Sequence, residues 1–167
     1  GSVWNGLLRG EMYNNQKRDI MRKRLERISM LMGYLRDFAV EGLPAPILGV
    51  NNEQTTNALV SKTGPQLVAA YPEVNHTGNS DCYVETLQSV FFVLDKSLGA
   101  ARTDESEFEQ YMGLMELAEA VLTKIERDTS EGFCSPPGGL TLMTAKIVPE
   151  GSIFGGWCGY SIEVTMK

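Results

Sequence analysis

LTLMTAKIVPEGSIFGGWCGYSIEVTM, residues 140–166, sets two strand-like patterns on either side of a glycine-rich bend. Leu140 to Val148 reads as a strand with mixed alternation, and Pro149-Glu150-Gly151-Ser152 reads as a turn. Beyond it, Tyr160, Ile162, Val164 and Met166 alternate with Ser161, Glu163, Thr165 and Lys167, the period of a half-buried strand. Adjacent strands with a short connection pair as a hairpin, so the sheet is expected to be antiparallel or mixed, with a C-terminal β-hairpin. Helices gathered on such a sheet give an α+β domain, not an α/β one. Gly151 to Gly159 is read as a hairpin turn plus a bulge. A phosphate cradle would need a following Lys-Ser/Thr pair and a helix, and neither is present. Trp157 then lies where a strand bends, available for burial or for contact with another subunit.

Working outward, YVETLQSVFFVLDKS (83–97) is rich in β-branched and aromatic residues and apolar at every position from Val90 to Leu94. It reads as a central strand buried on both faces, with Val90, Phe92 and Leu94 in the core. Short strands are expected at Ile47–Val50 and Leu67–Tyr71. Residues 51–66 read as a polar excursion, and Asn75 to Asp81 is dense in turn formers. Two main helices are predicted to pack on the sheet. The first runs from Asn15 to about Phe38, with an apolar stripe of Met21, Leu25, Ile28, Met32 and Leu35. The second starts at an Asp104 cap with Glu107 three residues on, and ends near Asp128. Residues 1–14, broken by Gly and Asn, read as an N-terminal arm or short helix carrying Trp4, Leu7 and Leu8. Residues 15–167 read as a single α+β domain.

A chain of 167 residues suits one domain with a real core. No apolar run approaches the ~20 residues that cross a bilayer, so no membrane partner is expected. Leu7 and Leu8 are too few for the apolar region of a secretion leader. Three widely spaced cysteines, Cys82, Cys134 and Cys158, form neither a disulfide framework nor a zinc pattern, which points to a reducing compartment. The net charge of −6 is uneven. Residues 1–50 carry eight Lys/Arg against five Asp/Glu, and residues 51–167 carry seven against sixteen. That polarity suits head-to-tail association between copies, or a solvated basic helix beside an acidic body.

Chemistry finds little purchase. The single histidine, His76, lies six residues from Cys82, with no signature of a nucleophilic site around either. The acidic group Asp104, Glu105, Glu107 and Glu109 has the wrong frame for a calcium loop and suits a capped helix start. Glu85, within the apolar strand, is the one acidic residue worth watching, and is read as edge-facing or at an interface. Six Lys/Arg between residues 17 and 27 could neutralise phosphates, but the chain is acidic overall and lacks interleaved aromatics. No catalytic, metal-binding or cofactor-binding residue is therefore assigned, and no cofactor is expected.

The order of elements in residues 67–167 resembles phage neck and tail-completion proteins, particularly tail terminators. The pieces that carry the resemblance are LVAAYPEV (67–74), YVETLQSVFFVLDKS (83–97), ESEFEQYMGLMELAEAVLTKI (105–125) and IFGGWCGYSIEVTM (153–166). The polar excursion and the basic first helix have no counterpart in that pattern. The resemblance implies a non-enzymatic subunit of a homo-oligomeric ring at the head–tail junction or tail end. Its partners would be other virion structural proteins, with nucleic acid met only by passage through a channel. Its location would be the virion, or the host cytoplasm during assembly. The candidate interface residues are then Arg22, Arg24 and Arg27 on the basic helix, Glu105, Glu109 and Glu116 on the acidic helix, and Trp157. The alternative is a cytoplasmic small-molecule-binding or regulatory α+β domain, with a pocket lined by Phe154, Trp157 and Tyr160.

Overall fold

The computed structural model describes residues 2–78, 83–130 and 140–167, with side chains described from residue 9 onward, Tyr83 excepted. The side chains of Trp4, Leu7 and Leu8, the pair Asp81-Cys82 and the loop at 132–139 with Cys134 lie outside the described residues. The β-branched and aromatic run Tyr83–Lys96 is a long central strand, β4. One edge of β4 pairs antiparallel with β6 (Trp157–Met166). Its other edge takes two strands in turn: β2 (Gln66–Ala70) along the second half and β3 (Glu73–Gly78) along the first. The short β1 (Ile47–Gly49) lies parallel to β2, and β5 (Leu142–Ile153) lies antiparallel to β6 at the far edge. The order is β1-β2-β4-β6-β5, a mixed sheet. With helices α1 (Ser2–Arg36), α2 (Asn52–Leu59) and α3 (Asp104–Asp128), the fold is α+β.

Residues paired directly across antiparallel strands share a face. Leu87, Phe91 and Val93 of β4 therefore face the same way as Met166, Ile162 and Tyr160 of β6. On that side α1 contributes Leu31 and Leu35, α3 contributes Leu114, Ala118, Val121 and Ile125, and Phe38 follows α1. The opposite side holds a smaller cluster of Leu59, Val68, Leu94 and Trp157, roofed by α2. The expectation that Val90, Phe92 and Leu94 form the core is thus corrected. Leu94 is buried, Val90 and Phe92 are half-buried, and the fully enclosed aromatic is Phe91. The helices cover the Phe91 face of β4 along its length, whereas α2 reaches only one end of the Phe92 face.

The first helix departs further from its stripe. Residues 2–14 are a helical arm continuous with α1. Only the C-terminal third of α1 is packed, through Leu31 and Leu35. Met21 and Leu25, expected inside, are 49% and 61% exposed. The packed ridge is Arg24, Ile28, Leu31 and Leu35, so Leu25 is turned aside from it, and Met21 lies before the point where Arg24 meets the start of β4 at Glu85. Every residue from 9 to 23 is exposed, about 22 Å of helix at 1.5 Å per residue.

Four local expectations change. The excursion at 51–66 contains α2, capped by Asn51, whose side chain accepts from the Gln54 N–H at 2.8 Å. Thr103, not Asp104, caps α3: Thr103 Oγ1 accepts from the Ser106 N–H, and Ser106 Oγ accepts from the Thr103 N–H. Part of the turn-rich segment is strand β3, whose polar residues are all exposed and become a strand by pairing with β4. The hairpin turn is Phe154-Gly155-Gly156, all at positive φ, and β5 runs through Pro149 with a register shift between Glu150 and Ile153. Proline is tolerated there because β5 is an edge strand.

Candidate functional site

The basic residues of α1 divide into two groups. Arg24 is engaged within the chain: its Nε donates to Glu85 Oε2 at 2.7 Å. His76 of β3, directly opposite Glu85 in the register, places Nδ1 3.9 Å from the same carboxylate oxygen. Glu85 thus ties α1 to β4, with His76 of the paired strand β3 beside it. Sequence reading singled out Glu85 and His76 separately. The signal that could have joined Arg24 to them is its place four residues before Ile28, on the packed side of the helix. Arg27 is half-buried, while Lys17, Arg18, Arg22 and Lys23 are exposed.

At its other end α1 is clamped to α3. Tyr34 donates its hydroxyl to Asp128 Oδ2 at 2.8 Å, and Lys124 Nζ reaches the same oxygen at 2.9 Å. Burial pulls the Asp128 carboxyl upward, but the Lys124 and Tyr34 donors outweigh it and hold it below the usual carboxylate value. Burial, and then the Asp128 partner, push the Tyr34 phenol well above its ordinary value. Lys124 also lies over the Phe38 ring, 5.3 Å from its centroid.

The acidic candidates Glu105, Glu109 and Glu116 are all exposed on the outer face of α3. Between them lie Phe108 and Met112, 66% and 49% exposed. Trp157 has a different fate. It is 3% exposed, packed among Leu59, Val68 and Leu94, with Lys96 Nζ 5.8 Å from its ring centroid. As an interface candidate it is corrected: its ring lies in this chain's own core.

Phe154 and Trp157 belong to the cluster beneath α2, whereas Tyr160 packs edge-on against Tyr111 on the other side of the sheet. The three do not line one pocket. Phe154 borders a shallow cleft of about 160 Å³ beside Asn51 and Thr55. A second cleft of about 250 Å³ lies between Arg102, Gln110, Tyr111, Ser152 and Cys158. Both fall below the several hundred Å³ that usually enclose a small ligand. At the second cleft, burial pushes the Cys158 thiol up, away from a reactive thiolate. Tyr111 is pushed up to about 12, first by burial and then by Cys158, and donates its hydroxyl to the Glu150 carbonyl at 2.6 Å. A concavity of about 680 Å³ from Arg18 to Met30 has described walls from α1 alone and is an open helix face.

Among the described residues, no three His, Cys, Asp or Glu side chains group as a metal site requires. No described helix is long and apolar enough to cross a membrane. No protein-family model matches the chain, and no curated protein matches it significantly.

Proposed function

We propose that this protein is a non-enzymatic structural subunit that assembles with copies of itself into a ring, as at a phage head–tail junction or tail terminus. The observation that carries the assembly reading is the unpacked length of α1. Its residues 9–23 are all exposed, and the neighbouring β3 is exposed along its length. Tyr13, Ile20, Met21 and Leu25 are large apolar side chains left in solvent on that helix. Such surface is characteristic of an interaction site. Charge polarity along the chain supports contacts between unlike faces, and unlike faces generate rings when the rotation closes. Placement in a phage particle rests on the resemblance in element order. The virion partners and the assembly-stage cytoplasmic location follow from the same resemblance.

The test is solution mass by analytical ultracentrifugation across concentration and salt, with electron microscopy of the largest species. A closed ring of fixed copy number is expected. A strict monomer at high concentration in every salt condition would overturn the reading.

A further inference from the structure

We propose that the free part of α1 docks on the outer face of α3 in a second copy of this chain, a contact that rests on the assembly reading above. Two helix faces share one layout with opposite charge. On α1, Met21 and Leu25 are an exposed i, i+4 pair beside Arg18 and Arg22 on the next ridge of the same helix, where Glu26 is the one acidic residue bordering the same concavity. On α3, Phe108 and Met112 are an exposed i, i+4 pair flanked by Glu105, Glu109 and Glu116. An apolar ridge with arginines thus meets an apolar ridge with glutamates. Burying either ridge against a like-charged surface would leave charges opposed, so the charge pattern selects this partner.

The contact is between chains, because the chain's own α3 is out of reach, and the matching acidic ridge on α3 makes a second copy the occupant. Arg24 meets Glu85 and Phe38, just past the helix, meets Phe91, so α1 runs along β4 from its start, whereas α3 runs from Tyr111 near Val93 back to Asp128 at Tyr34, and the two are antiparallel. Going back along α1 from Tyr34 therefore leads past the C-terminal end of α3. Met21 lies about 20 Å beyond that clamp, while Met112 lies about 24 Å from it in the opposite sense, at 1.5 Å per residue. The Arg24–Glu85 pair holds α1 on this course. The sequence stripe that includes Met21 and Leu25 is then one apolar strip with two uses: its C-terminal part faces the chain's own core, and its N-terminal part faces a neighbour. The donor and acceptor faces differ, so the contact is head-to-tail.

The test uses charge reversal in the full chain, with mass followed by analytical ultracentrifugation and folding checked by circular dichroism. Arg18→Glu with Arg22→Glu alters the donor face; Glu109→Lys with Glu116→Lys alters the acceptor face. All four positions are exposed, so the fold should be unchanged. Each pair alone should weaken self-association by at least about tenfold, and all four together should restore it to within about threefold. Wild-type association should weaken between about 0.1 and 1 M salt. If the wild type forms its oligomer and neither pair weakens it, this contact is wrong and the assembly reading survives. If both pairs weaken it but the quadruple variant is not rescued, the two faces do not meet. If the wild type never associates, contact and assembly reading fall together.

Discussion

Tyr34 on α1 and Asp128 at the end of α3 share a 2.8 Å hydrogen bond that fixes the root of the projecting helix. Lys124 is bound to the same carboxylate oxygen, so removing either donor weakens a charged, part-buried site. A hydrogen bond to a charged group contributes about 1.5–3 kcal/mol. Tyr34→Phe should therefore lower stability by about 1–2 kcal/mol in urea unfolding, because Lys124 remains.

The same clamp sets two limbs of the pH profile. Asp128 is held below its unfolded pKa, so its contribution is fully present above about pH 4 and is lost as pH falls through the lower folded value. Tyr34 is raised, so the unfolded chain releases its proton first, and stability falls as pH rises above about 10. Asp128→Asn should flatten the acid limb and Tyr34→Phe the alkaline limb. Unchanged slopes in pH-dependent melting would show that the clamp does not carry them.

Gly159 should resist replacement. Its φ is 149°, and a Cβ there would overlap the Val93 carbonyl oxygen on the paired strand. Gly159→Ala is expected to cost more than about 3 kcal/mol or to prevent folding, since both backbones belong to the central pairing. Gly113 is the contrast: it is exposed mid-helix, and a Cβ added there would meet nothing within 4 Å. Gly113→Ala should raise stability by about 0.5–1 kcal/mol in thermal melting.

The two neighbouring phenylalanines of β4 should separate sharply. Phe91 is buried against Phe38, ring centroids 5.2 Å apart, whereas Phe92 is half-buried beside Phe154. Phe91→Ala should cost about 3–5 kcal/mol and Phe92→Ala clearly less, measured by denaturant midpoint at constant slope. Equal losses would mean that the face assignment of β4 is wrong.

The start of α3 offers a smaller, cleaner check. Thr103→Ala removes the capping box and should cost about 1 kcal/mol. Asp104→Ala removes a first-turn charge and its exposed ion pair with Arg102 at 3.4 Å, and should cost a few tenths. A reversed order would return the cap to Asp104.

The α+β class was legible in the sequence because it depends on local order: a strand pattern beside a strand pattern, and helices with their own stops. The alternation from Tyr160 to Met166, the apolar run in β4 and the C-terminal end of α3 at Asp128 could all be read without contacts. The cap at Thr103 was missed by one residue, since Thr-x-x-Ser and Asp-x-x-Glu overlap in frame and only the hydrogen bonds choose. Strand β3 was missed because its residues are polar and become a strand through pairing with β4. Of the candidate site, the opposing charges of Arg22 and of Glu105, Glu109 and Glu116 were visible as composition.

Tertiary structure alone decided which of those groups remain free. Periodicity gives the angular position of a side chain on its helix but not what lies opposite, so Met21 and Leu25 read the same as Ile28 and Leu35. The contacts separate them: Arg24, Ile28, Leu31 and Leu35 form the ridge that packs, whereas Leu25 is turned aside from it and Met21 lies before the point where Arg24 meets β4. Trp157 shows the converse. Its glycine-rich surroundings announce a bend, but the side of the sheet it enters depends on strand register, and that register buries it with Leu59 and Leu94.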